Sequence, residues 1–155
     1  MADPSQRAPS PDMLELARAA MARAYAPYSR FAVGAVVRGE SGALYAGCNV
    51  ENAAFPQGSC AEASAISALI MAGERRIIEV LIMGKGPALV PPCGGCRQRL
   101  NKFADGATPV HICDSDGLRR TVTLGELLPL SFGPGNLVHR RPEIAGSAKG
   151  GLPEE

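Results

Sequence analysis

The stretch 60–83, CAEASAISALIMAGERRIIEVLIM, decides the fold. Its first half, Cys60 to Met71, is rich in Ala, Ile and Leu and stops before Gly73, as expected of a helix. Its second half, IIEVLIM at 77–83, is an apolar run of strand length carrying one Glu, as expected of a strand covered on both faces. Upstream, FAVGAVVRGESGALYAGCNVE at 31–51 reads as a hairpin around a Gly-Glu-Ser-Gly turn. Before it, a helix is predicted from an Asp12 N-cap to about Tyr25, with Leu14, Ala17, Met21 and Ala24 on one apolar face and Pro27 beyond its end. Downstream, a short helix is predicted from near Cys93 to near Phe103. A strand PVHIC at 109–113, a last strand in RRTVTL and a helical turn at Leu124–Leu128 follow.

This β-β-α-β-α-β-β order predicts a single-domain α/β fold, an α-β-α sandwich on a mixed sheet of about five strands. The domain is expected over 12–132, with a disordered lead at 1–11 and a flexible Gly- and Pro-rich tail at 133–155. The helices opening at Cys60 and Cys93 both follow strands, so their N-termini can meet at one end of the sheet, where ligands bind in such folds.

With 155 residues and a net charge of +1, the chain suits one core and offers no basic footprint for nucleic acid. It has no apolar run long enough to span a membrane and no secretory leader, which predicts a cytoplasmic protein whose five cysteines are thiols or metal ligands.

Cys93 and Cys96 lie three apart at a helix start, so their sulfurs share a side and form a common zinc half-site. Cys60 is the third candidate ligand, and three protein ligands with one open position mark a catalytic zinc site. All three stand at helix N-termini, whose dipole favours the thiolate. Glu62 lies about 200° round a helix from Cys60. That places it off the ligand face, beside the open position, as an acid/base. The alternatives are a Cys-x-x-Cys redox pair, or a structural zinc site completed by Cys48 or Cys113. Those two cysteines read instead as small core residues, and His111 and His139 are weak ligand candidates.

Taken together, AYAPYSRFAVGA, GCNVENAAFPQGSCAE, PPCGGCRQ and ELLPLSF resemble, in order, segments of the small homotetrameric cytidine deaminases, over nearly all of 12–132. The resemblance implies hydrolytic deamination of cytidine and 2′-deoxycytidine, with one Zn²⁺ per chain on Cys60, Cys93 and Cys96. Glu62 is then the proton carrier between water, N3 of the base and the departing ammonia, as in zinc nucleobase deaminases generally. Further implied contacts are Asn49 and Glu51 to the ribose 3′-hydroxyl, Phe31 to the pyrimidine ring and the Ala61 backbone to the base carbonyl. Phe132 would close a neighbouring subunit's site, and Arg97 matches an arginine near the thiolates. The chain departs from the family at Phe55, where a tyrosine is usual, and at Ala63, where an arginine is usual. A rival within the class is a deaminase of a modified cytosine nucleoside or a blasticidin-type antibiotic, which needs no ribose pair. A nucleic-acid editing enzyme is disfavoured by the absence of a basic surface and of extra stacking aromatics. A zinc-stabilised pseudo-enzyme is disfavoured by Glu62.

Overall fold

The computed structural model describes residues 7–137. A hairpin of β1 (Val33–Gly39) and β2 (Leu44–Cys48) follows helix α1 (Pro11–Ala22). Then come α2 (Ala61–Met71), β3 (Ile77–Gly84), α3 (Gly94–Asn101), β4 (Pro109–Asp114), β5 (Gly117–Thr123) and the short α4 (Leu124–Leu127). The strands form one sheet in the order β2-β1-β3-β4-β5, antiparallel except for the β3–β4 pair. Because β1 runs against both β2 and β3, the strands β2, β3 and β4 all point the same way. Their carboxyl ends therefore share one edge of the molecule, and α2 and α3 both start from that edge.

Strand alternation sends the two faces of the sheet into two cores. Ala35, Val37, Val80, Ile82, Val110 and Ile112 pack with Ala65, Leu69 and Leu100 on the side of α2 and α3. Val36, Leu81, Met83 and Cys113 pack with Met13, Ala17 and Met21 of α1. Two glycines let the helices press on the hairpin. A Cβ at Gly34 would stand 2.4 Å from the Ala17 carbonyl of α1, and one at Gly47 would stand 2.4 Å from the Ala65 nitrogen of α2. Neither neighbour is a flexible side chain, so only glycine fits.

Element boundaries differ from the sequence reading in physically clear ways. α1 starts two residues earlier, with Ser10 rather than Asp12 at the N-cap and Pro11 in the first turn, where a missing N–H costs nothing. It ends at Ala22, short of Tyr25, because the Tyr25 N–H donates to the Asn49 carbonyl (2.9 Å) and draws the chain towards the hairpin. α3 ends at Asn101 because the chain tightens there, Phe103 N–H bonding to the Leu100 carbonyl at 2.9 Å. Part of the predicted lead is packed: Pro9 is buried, and the Arg7 carbonyl accepts from the Thr121 hydroxyl. The first residues of the predicted tail are ordered too, in a 3₁₀ turn at Pro134–Leu137. His139 and the rest of the tail lie outside the described residues.

Candidate active site

Cys60 is the N-cap of α2, Cys93 is the N-cap of α3, and Cys96 lies in the first turn of α3. Both caps have the extended backbone usual at an N-cap. The three sulfurs lie within 4.8 Å of one another, with Cys60 and Cys93 3.9 Å apart. Zinc–sulfur bonds of about 2.3 Å at tetrahedral angles need sulfurs about 3.8 Å apart, so the donor set fits the ion. Among the described residues this is the only cluster suited to a metal ion.

Burial pushes the Cys60 and Cys96 thiols up, and the crowded sulfurs and Glu62 add to it. Cys93 is held below the ordinary thiol value despite its burial, by the Cys96 backbone N–H and the neighbouring thiols. Three thiolates in contact call for a compensating cation.

Glu62, in the first turn of α2, is 4 % exposed. Burial raises its carboxyl above the ordinary value, against weaker pulls from its own backbone N–H, the Cys96 thiol and the Arg99 charge. A 250 Å³ cavity opens over the cluster, lined by Cys60, Cys93, Glu62, Ala61, Asn49 and Phe31. Val33, Ile82, Val90 and Pro91 complete its walls. Cys96, fully buried, is not part of the lining.

The remaining candidates divide. Phe31, Asn49 and Ala61 reach the cavity. Glu51 does not; it lines an adjoining 450 Å³ pocket with Tyr28, Ser29, Asn52, Phe55 and Gly58. Its carboxylate accepts from the Tyr28 and Ser29 backbone N–H groups, each at 3.0 Å, and from the Ser29 hydroxyl. Asn49 is also bonded, its amide donating to the Phe31 carbonyl and accepting from the Val33 N–H, both at 2.8 Å. Phe55 is 79 % exposed and meets Tyr28 edge to face. Phe132 is 59 % exposed and lies away from the cavity, beside Gln98, Asn101 and Leu137. Arg97 departs from the expected contact with the thiolates: its recorded bonds run to the Pro92 carbonyl (2.8 Å) and the Leu127 carbonyl (2.9 Å). It therefore braces the chain just before Cys93.

Cys113 stays on the α1 side of the sheet, its thiol pushed up to about 12 by burial, and Cys48 ends β2. Neither joins the sulfur cluster, and His111 is bonded to Glu79 and Thr121 instead. Three sulfurs converging, rather than two, also separates the site from a Cys-x-x-Cys redox pair.

Residues 9–112 match the family described as the cytidine and deoxycytidylate deaminase zinc-binding region. The chain belongs to the cytidine deaminase family. A cytidine deaminase from Sporosarcina psychrophila is 37 % identical over 110 residues, which cover 71 % of this chain and 81 % of the relative. One from Mycobacterium tuberculosis is 38 % identical over 122 residues, covering 79 % and 88 %. Among solved structures, the cytidine deaminase from Burkholderia pseudomallei superposes with a TM-score of 0.74 at 36 % identity, covering 78 % of this chain and 97 % of that one. The fold and the α/β layering are those of cytidine deaminases, and Cys60, Cys93 and Cys96 are placed to bind the metal of this zinc-binding family.

Proposed function

We propose that this chain deaminates free cytidine and 2′-deoxycytidine, consuming water and releasing ammonia to leave the uridines. The observation that carries the reading is a buried carboxyl beside three convergent thiols, with Glu62, Cys60 and Cys93 in the wall of one cavity. Cys60, Cys93 and Cys96 hold zinc as thiolates, favoured by the N-termini of α2 and α3. Bound there, zinc supplies Lewis-acid activation of water, whose pKa falls towards about 7.

Glu62 moves the protons. Its carboxylate takes one from water and delivers it to N3 of the base as the water oxygen bonds to C4; it then takes the proton left on that oxygen and hands it to the amino group, which leaves C4 as ammonia. Burial raises the Glu62 carboxyl above the ordinary value, which favours the protonated form needed when it acts as an acid. Phe31 packs on the pyrimidine, the Ala61 backbone meets the base carbonyl, and Asn49 keeps one lone pair and one N–H for a ribose hydroxyl. Arg97 acts by bracing the Cys93 loop.

The working form is a homotetramer in the cytoplasm, each site completed by a neighbour. Large exposed apolar side chains support the assembly: Tyr25, Tyr28, Val50 and Phe55 on one side, Leu130, Phe132 and Leu137 on another. No helix among the described residues is long and apolar enough to cross a membrane. Ammonia release should be measured on cytidine, 2′-deoxycytidine, free cytosine, a cytosine antibiotic and a cytosine-bearing oligonucleotide. Turnover of the two nucleosides alone is expected; preference for the antibiotic or the oligonucleotide would refute the substrate assignment.

A further inference from the structure

The segment between α1 and β1, residues 26–32, carries Phe31 to the cavity wall without strand pairing of its own. Arg30 within it has φ +57°, a left-handed conformation that is uncommon for a residue with a Cβ, so the segment needs bonds to hold it. Beyond the bond from the Arg30 N–H to the Ala26 carbonyl (3.0 Å), they come from Asn49 and Glu51, on the stretch that leaves β2. Asn49 grips the segment at the Phe31 carbonyl and the Val33 N–H. Glu51 grips it at the Tyr28 and Ser29 N–H groups. Between these two grips stands one hydroxyl. Ser29 Oγ donates to the Glu51 carboxylate and accepts from the Phe31 N–H at 3.0 Å.

We propose that Ser29 is a positioning residue for Phe31, linking the aromatic wall that receives the pyrimidine to the Glu51 carboxylate, so that the two ends of the segment are set as one unit. Ser29 lines the adjoining pocket and not the cavity above the cysteines, so it works through Phe31 rather than on the reacting atoms. Without its hydroxyl the Phe31 N–H loses its acceptor, and Glu51 keeps its backbone grip on residues 28 and 29 but no link onward to residue 31. A charge-assisted bond is lost on one side and a neutral one on the other. The ring then samples other positions over the cavity, which weakens substrate binding more than it slows the chemistry of Glu62 and the metal.

The inference rests on the nucleoside-deaminase reading, and the test separates the two. Steady-state kinetics on cytidine are compared for zinc-loaded wild type, Ser29→Ala, Ser29→Thr, Phe31→Ala and the Ser29→Ala/Phe31→Ala pair. Ser29→Ala should raise KM about tenfold while kcat changes less than about threefold, with zinc content unchanged. Ser29→Thr, which keeps the hydroxyl, should return KM to within about twofold of wild type. In the Phe31→Ala background, removing the Ser29 hydroxyl should add less than about twofold, because the group it positions is gone. An unchanged KM in Ser29→Ala, a Thr variant as impaired as the Ala variant, or full additivity with Phe31→Ala would each overturn the proposal. A wild-type protein inert towards cytidine would instead overturn the substrate assignment on which it rests.

Discussion

Ala63 follows Glu62 in α2 and is half-buried, so that turn of the helix brings no cation to the cysteines. Arg97 does not fill the gap, since its guanidinium is bonded to the Pro92 and Leu127 carbonyls. The charge of Arg99 is felt at Glu62, where it opposes the effect of burial. The thiolates therefore depend on zinc itself and on two helix N-termini. A cation placed at residue 63 would lower the thiol pKa values, and protons compete with zinc for each sulfur. Ala63→Arg should accordingly keep its zinc to a lower pH than wild type, with half-loss displaced by about one pH unit. Zinc content after equilibration over a pH series tests this, and superimposable curves would contradict it.

At the scale of elements, α2 is placed by the hairpin. Gly47 of β2 faces the start of that helix, where a Cβ would lie 2.5 Å from the Ala61 carbonyl and 2.4 Å from the Ala65 nitrogen. Gly47→Ala must push away the turn that carries Cys60 and Glu62. It should cost about 1–3 kcal/mol in denaturant unfolding and loosen zinc in a chelator competition. Equal zinc affinity in the two proteins would show that β2 does not set the site. A second device lies on the other face of the sheet, where Glu79 accepts from His111 Nε2 at 2.9 Å and from Arg38 Nε at 2.7 Å. Burial alone would push the Glu79 carboxyl up, but these bonds outweigh it and hold the carboxyl below its ordinary value of 4.5. A depressed carboxyl stabilises the fold above its unfolded pKa, and that contribution is lost as pH falls through the folded value. Glu79→Gln should therefore destabilise by about 3 kcal/mol at neutral pH. The gap to wild type should close below about pH 4.5, and a gap that stays constant with pH would contradict this.

The strands and helices were legible because apolar runs and Ala-rich segments report local structure, as in 77–83 and 60–71. Glu79 and His111 sit inside apolar runs on separate strands, and only the β1-β3-β4 order shows that they meet. The end of α1 and the bonds of Glu51 were hidden for a similar reason. They depend on where a distant loop passes, which no local pattern records.

For the whole molecule, the cavity above the cysteines is smaller than the adjoining pocket at Glu51 and Phe55, and Phe132 reaches neither. Phe132 is anchored through its carbonyl, which accepts from Gln98 and Asn101, and the residue is largely exposed. Phe132→Ala should raise KM for cytidine by about tenfold or more with zinc retained, as for loss of an aromatic anchor in a shared pocket. Light scattering should report a tetramer for wild type, and a fully active monomer would contradict the shared site. The central claim is that Cys60, Cys93 and Cys96 hold the metal while Glu62 moves protons without binding it. It is tested most directly by measuring zinc per chain and cytidine turnover together in Glu62→Ala. The expected result is one zinc per chain, as in wild type, with kcat lower by at least about 10²–10⁴-fold. A metal-free variant, or one with near-normal turnover, would contradict it.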